Sequence, residues 1–593
     1  MSATDRRTFL RRGAAAAGGL AVAGPLQAYS ANVAMGQSTT SPGYGPLRVA
    51  PGGDLMLPEG FEYRIISTQG EPMRDGTPTP GIFDGMGAFE GPEGTVVLIR
   101  NHENRSPFFP NSQNETPVVV PDNKEYDGNE LFKGGCTKVV LNAQRERITS
   151  FAVLGGTTTN CAGGMTPWGS WITCEEVVVP GQSDDQVVQL PPGFGDLLLG
   201  AKDHGYIFEI DASTDEPVQA VPIRDAGQFF HEAVAWFDDT LYLTEDNDVT
   251  NPQDAVAFYR YRPGFVPTRA GELAERQAEG VLEAMVISGQ PPRKDLRTGI
   301  PVGEAMPVEW VRIDEPKPQT DTVRQEAFDK GAARLTREEG IWVGEGGRVY
   351  FDCTDGGEAE QGQIFELDVQ RQTLTLIYES EDPAQLMAPD NLTVAPFGDL
   401  FLCEDAEAPQ FVRGLTPQGQ IYDFARSTTR QTEFCGACFS PDGQTLFFNQ
   451  QGDREDETAV TYAVWGPFAS RAGLAQAPAP SPPEATPPAG TTPAPGATPS
   501  PSDGAGASPS AGSGSEGDSG RSRGSSDTAT ADPGPSGRAG DALPFTGFAA
   551  GLSAGAGGLL VGLGAILRRR EAQARRRDAE ARTTRPDDGP ASS

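Results

Sequence analysis

The sequence predicts an all-β fold, a six-bladed β-propeller with inserted loops followed by a disordered stalk. Three observations predict it. A two-strand phrase recurs six times between Asp84 and Gln450. Each copy opens and closes on polar or metal-capable residues. Beyond residue 470 the composition turns to Pro, Ser, Thr, Gly and Ala, with few large apolar residues. Many short alternating strands in repeated copies mark a propeller. A β-sandwich, the competing all-β fold, gives no reason for the repeated polar ends.

The first copy runs from Asp84 to Phe89, turns, continues over Thr95–Ile99 and closes on Asn101-His102-Glu103. The second opens on Asn160-Cys161 and closes on Cys174-Glu175-Glu176. The third opens on His231-Glu232 and closes on Glu245-Asp246-Asn247. The fourth opens on Glu338-Glu339 and closes on Asp352. The fifth opens on Pro389-Asp390-Asn391 and closes on Glu404-Asp405. The sixth opens on Phe434-Cys435 and closes on Asn449-Gln450. A further amphipathic strand follows most copies, as at Gly205–Asp211, Ala257–Tyr261 and Gly362–Asp368. Uneven spacing requires insertions between blades. The largest covers Gly264 to Arg337, with a helix expected near Glu272–Ala284.

The ends of the chain read as addresses. Residues 1–37 carry Arg6-Arg7 before Thr8-Phe9-Leu10 and an Ala/Gly-rich run, the pattern of a twin-arginine signal peptide read by the twin-arginine translocase. Residues 38–470 form the propeller, and 471–540 are a Pro/Ser/Thr/Gly-rich stalk that cannot bury a core. Residues 541–593 hold Leu543-Pro544-Phe545-Thr546-Gly547, an apolar stretch from Phe548 to Leu567, and Arg568-Arg569-Arg570. This resembles a sortase sorting signal cut between Thr546 and Gly547. A plain membrane anchor is the alternative, since about 20 apolar residues span a bilayer. Either reading puts the domain outside a Gram-positive cell, attached to wall or membrane.

Charge bears on partners. Asp and Glu number 82 against 47 Lys and Arg, a formal net charge of −35. Nucleic acid, which needs a basic surface, is not an expected partner. Seven cysteines leave at least one unpaired, and Cys435-Gly-Ala-Cys438 stands without a second such pair. Most of the seven read as buried structural residues.

In an antiparallel hairpin the start of one strand lies beside the end of the next. Six hairpins around a channel therefore bring their polar ends to one mouth. Carboxylates crowded there raise one another's pKa unless cations share the charge. Carboxylate and amide oxygens suit calcium, and a thiolate suits a softer metal such as iron. His102-Glu103 and His231-Glu232 each place one side chain on each face if extended. The glutamates are read as facing the channel, the histidines as supporting or packing residues.

These motifs resemble the PhoX-type alkaline phosphatase family. The resemblance rests on Asn101-His102-Glu103, Asn160–Gly164 with Thr166–Gly169, Cys174-Glu175-Glu176, His231-Glu232, Glu339–Trp342 and Pro389–Leu392. It implies a propeller with a clustered iron–calcium cofactor and extracellular hydrolysis of phosphomonoesters, with small-molecule phosphate esters as partners. By matching position it implies Cys161 as an iron ligand. Glu103, Glu175, Glu232, Glu339, Asp390 and Glu404 become candidate iron or calcium ligands. No protein nucleophile is expected; an oxide or hydroxide on the metals would attack phosphorus. Arg100, Lys133, Lys138, Arg348 and Arg413 are the nearest candidates to bind phosphate. A non-catalytic, wall-anchored metal-binding propeller and a calcium-dependent lactonase or phosphotriesterase are the alternatives.

Overall fold

The computed structural model describes residues 42–471, apart from 106–115, 130–131, 180–201, 248–254, 278–279, 319–321, 407–408 and 454–456. The expected signal peptide, stalk, Thr546-Gly547 bond and apolar stretch lie outside the described residues. No helix among those described is long and apolar enough to cross a membrane.

The chain is nearly all β, and its sheets have a propeller-like arrangement. All six predicted hairpins form. They are Phe83–Glu90 with Val96–His102, Asn160–Met165 with Ser170–Glu175, and His231–Phe237 with Thr240–Glu245. The rest are Glu338–Gly344 with Arg348–Cys353, Pro389–Val394 with Leu400–Glu404, and Phe434–Phe439 with Thr445–Gln450. The first strand of each packs against the first strand of the next, and the sixth returns to the first. Glycine makes this approach possible. A Cβ on Gly85 would sit 2.5 Å from Ala162 Cα, and one on Gly340 2.6 Å from the Leu392 nitrogen.

Six separate blades are not what hydrogen bonding gives. Four sheets carry one hairpin each, and a fifth, nine-stranded sheet carries the third and fourth together. The join is Ala305–Arg312, from the long insertion. It pairs with Val281–Ile287 on one side and with Thr373–Glu379 on the other. An open strand edge leaves backbone N–H and C=O groups without partners, and this strand covers two such edges. The insertion is thus strand as well as loop. The helix expected near 272–284 is shorter, Glu272–Glu275, and gives way to Val281–Ile287. Tertiary pairing with Tyr259–Arg262 outweighs the local helical pattern there.

The two ends of the domain are tied together. Glu62–Thr68 completes the sheet of the sixth hairpin by pairing with Val460–Trp465, and Leu55–Leu57 pairs with Ile421–Ser427. Apolar side chains fill the spaces between sheets. Phe401, Phe424, Phe434, Phe448 and Tyr462 form one such cluster, sealed by Phe468. Each buried ring of this size contributes about 1.5–3 kcal/mol.

Candidate metal centre

Every hairpin repeats one backbone device. The residue after the second strand donates its N–H to the carbonyl of the residue before the first strand. The six bonds are Glu103 to Ile82, Glu176 to Thr159, Asp246 to Phe230, Thr354 to Arg337, Asp405 to Ala388 and Gln451 to Glu433, at 2.9–3.2 Å. A register shift follows at once in the first strand. In the first hairpin Phe83 pairs with His102 and Met86 with Arg100, so Asp84 and Gly85 stand opposite Asn101 alone. Such a bulge turns a side chain out of the sheet's alternation. In the first five hairpins it falls at Asp84, Cys161, Glu232, Glu339 and Asp390.

The result is an acidic ring, buried at Asp84, Glu103, Glu232, Asp246 and Glu339 and open toward solvent at Glu176, Asp390, Asp405 and Glu433. Asp84, Glu232 and Glu339 come from the bulge positions, and Glu103, Glu176, Asp246 and Asp405 from the residues after the second strands. Asp390 and Glu433 complete nine carboxylates, joined through mutual electrostatic influence. Two thiols join them. Ligand atoms of Cys161, Glu176 and Glu232 lie within 4.8 Å of one another, as do those of Asp84, Glu433 and Cys435, and those of Asp390, Asp405 and Glu433. Each pocket draws on two neighbouring hairpins.

The structure separates the predicted ligands into two groups. Cys161, Glu103, Glu232, Glu339 and Asp390 are brought together in the ring. Glu175 and Glu404 face away from it. Glu175 takes His204 Nδ1 at 2.6 Å and the backbone N–H groups of Thr158, Gly205 and Tyr206. Glu404 takes Arg413 Nε at 2.8 Å and the Met387 N–H. Their neighbours Glu176 and Asp405 hold the ring positions instead. The reason is alternation: the last strand residue pairs across the hairpin and points outward, and the next residue points in. His102 and His231 share the outward setting. His102 bonds Gly81 O and Thr137 Oγ1, and His231 Nε2 bonds Gly227 O.

Donors within the ring are few. Gln451 Nε2 has two hydrogens and three carboxylates in reach, Asp84 at 3.2, Glu103 at 2.8 and Glu433 at 2.7 Å. Thr354 Oγ1 is 3.0 Å from Glu339 Oε1. Arg337 Nη2 donates to Asp246 Oδ2 at 2.9 Å and to Glu339 Oε1 at 2.7 Å. Its Nη1 is buried with no partner among the described residues. Burial pulls the guanidinium down, but Asp246 and Glu339 outweigh it and hold Arg337 charged.

The carboxyls respond as a crowded set must. Burial first and neighbouring carboxylates second push Asp84, Glu176, Glu232, Glu339 and Glu433 well above the usual range. Burial and Asp405 raise Asp390 to about 8. Burial and Glu232 push the Cys161 thiol up. Without cations the ring therefore holds protons. With them, the same oxygens and sulfurs would be free to serve as ligands.

Sequence reasoning did not single out Arg337, Glu433, Glu176, Asp246 or Asp405 as site residues. The signal was present for three of them, since each follows an acid closing a second strand. Arg337 and Glu433 share the position before a first strand. Four of the five expected phosphate binders are engaged elsewhere, Arg413 by Glu404. Arg100 stacks over Phe83 at 3.4 Å, Lys138 bonds Thr214 O, and Arg348 pairs with Glu366. All seven cysteines are buried and free.

The family model described as alkaline phosphatase PhoX matches residues 42–453. The chain belongs to the PhoX alkaline phosphatase family. Among solved structures it resembles Pseudomonas fluorescens PhoX in complex with vanadate, a transition state analogue. The TM-score is 0.50 at 16% identity, over 72% of this chain and 98% of that one. It also resembles XC5397 from Xanthomonas campestris, a gluconolactonase. There the TM-score is 0.33 at 11% identity, over 72% and 97% of the two chains. At 16% identity the first likeness is one of fold, and the second bears on nothing further. No curated protein sequence matches the chain significantly. Family membership supports a phosphatase, and the candidate ligand groups accord with a metal-dependent one.

Proposed function

We propose that this protein is an exported phosphomonoesterase that works with a clustered iron–calcium site and is held on the outer surface of a Gram-positive cell. One observation carries the reading. Nine carboxylates and two thiols converge in one ring, with the guanidiniums of Arg337 and Arg105 against it among the described residues. Such a donor set fits several cations. The oxygen-only pocket of Asp390, Asp405 and Glu433 suits calcium. The pocket of Cys161, Glu176 and Glu232 adds a sulfur and suits iron. We also read the six hairpins as six blades, two of them fused in the nine-stranded sheet.

Bound cations would draw off the charge that develops on the phosphoryl group. The chain's own residues orient the substrate. Arg337 is fixed by Asp246 and Glu339 through Nε and Nη2, which leaves Nη1 to donate to a phosphate oxygen. A guanidinium held this way is already oriented when substrate arrives. Gln451 fixes the carboxylates on the opposite hairpins.

The test is turnover of a generic phosphomonoester by the exported protein, with elemental analysis of the same sample. Metal-dependent monoester turnover, with calcium and iron present, supports the reading. Metal without turnover would leave a binding propeller, and preference for a lactone or phosphotriester would replace the substrate class. The surface address is tested by Thr546→Ala, which should release or mislocalise the protein if sortase cuts there. Unchanged attachment would favour a membrane anchor.

A further inference from the structure

His204 is fully buried outside the ring, between two carboxylates. Its Nδ1 lies 2.6 Å from Glu175 Oε1, and its Nε2 lies 3.5 Å from Asp127 Oδ2. The imidazole stacks on Phe132 at 4.2 Å between centroids and meets Tyr126 edge-on at 5.2 Å. Both carboxylates are otherwise anchored to backbone. Glu175 takes the N–H groups of Thr158, Gly205 and Tyr206, and Asp127 takes those of Asn129 and Lys202. Tyr126 and Tyr206, the other titratable groups packed nearby, turn their hydroxyls to Arg224, and Arg224 also pairs with Asp203.

The imidazole bonds Glu175 through Nδ1 and sets Nε2 3.5 Å from Asp127 as a charge contact without a hydrogen bond, so two carboxylates favour its cationic form. Burial disfavours that charge, but Glu175 and Asp127 outweigh it and raise His204 to about 9. Burial also pushes the Asp127 carboxyl up, and His204 together with the N–H groups of Asn129 and Lys202 brings it below the usual range. The other two histidines behave oppositely. Burial holds His102 well below its ordinary value and takes His231 to about 3.

The network reaches the ring through the backbone. Glu175 directly precedes Glu176, and its carboxylate takes the Thr158 N–H at 3.2 Å. The Glu176 N–H donates to Thr159 O at 3.0 Å, and Thr159 stands two residues before Cys161. The Glu176–Thr159 bond is the one all six hairpins share; what is added here is the Glu175 carboxylate, which ties the segment leading into Cys161 to the strand that ends at Glu175. We propose that His204 is a positioning residue for the Cys161–Glu176–Glu232 pocket, acting through Glu175. It pins the strand ends that aim two of the pocket's three ligands. The proposal rests on the reading of that pocket as a metal site.

The test compares the exported, metal-loaded protein with H204Q. Metal loss to a chelator is followed by elemental analysis between pH 7.5 and 10.5. Partners one step behind the ligands change metal affinity about 10- to 100-fold. The wild type should lose pocket metal about tenfold faster above pH 9 than at pH 7.5, and H204Q should lose it rapidly at both. Metal retention in H204Q equal to wild type at every pH overturns the proposal alone. Wild type that is exported without metal overturns the metal reading and the proposal with it. Should H204Q fail to fold, Glu175→Gln gives the same comparison, and pocket metal retained as in the wild type would overturn the proposal.

Discussion

Glu175 and Glu176 are consecutive in the chain and serve opposite sides of the inner wall. Glu175 Oε1 lies 2.6 Å from His204 Nδ1. Glu176 offers its oxygen to a group with Cys161 and Glu232, all within 4.8 Å. The pair should separate on substitution. Glu176→Gln should fold normally and lose pocket metal and turnover. Glu175→Gln should lower the melting temperature, because a buried charge partner of His204 disappears, and should weaken rather than abolish metal retention in the pocket it positions. Breaking a buried pair in this way costs about 3–5 kcal/mol. Equal melting temperatures of the two variants would contradict this division.

Cys161→Ser asks whether sulfur is a ligand. Cys161 Sγ sits 3.4 Å from the carbonyls of His231 and Glu232, in a space a hydroxyl also fits. As a ligand it should be irreplaceable, since serine ionises far less readily and is a harder donor. The folded variant should then lack iron and lose most phosphatase turnover. As a packing residue alone it would cost about 1–3 kcal/mol of stability and leave turnover per folded molecule unchanged. Iron content and turnover, measured on the soluble fraction, separate the two.

Arg337→Lys keeps a positive charge and removes the fork that binds Asp246 and Glu339 while presenting Nη1. Hydrogen bonds to charged groups contribute about 1.5–3 kcal/mol, so KM for a phosphomonoester should rise about ten- to a hundredfold. Metal content should stay near wild type. Steady-state kinetics with an unchanged KM would remove Arg337 from substrate binding.

Metal removal should reverse the pH dependence of stability. In the metal-free ring the folded carboxyls bind protons more tightly than the unfolded ones, with Asp390 raised to about 8. Between the ordinary carboxyl range and that value the folded state holds more protons, so stability falls as pH rises. Chelated protein should therefore melt at a lower temperature at pH 8 than at pH 5. Metal-loaded protein should not, because cations replace those protons. Thermal melts of both forms at the two pH values check it.

Much of this was legible because it is local. The turn, the two apolar strands and the acids after them recur along the chain at a scale any window of residues reveals. Glu103, Glu232, Glu339, Asp390 and Cys161 follow from that phrase together with the family resemblance. Glu175 and Glu404 did not, since each belongs to a pair of acids of which a sequence pattern cannot choose one member.

The sequence by itself determined six hairpins with polar ends, acidic in five of them, an all-β domain and a set of acids destined for one mouth. These follow from the alternation of apolar and polar residues and from turn chemistry within each copy. Tertiary structure decided which acid of each pair turns inward, because the last residue of the second strand pairs across the hairpin and points outward while the next turns in. It also decided that Ala305–Arg312 fuses two sheets and that Arg337 and Glu433 enter the ring from the position before an inner strand. Each candidate pocket joins side chains from neighbouring hairpins, so its composition exists only once the inner strands have closed on one another.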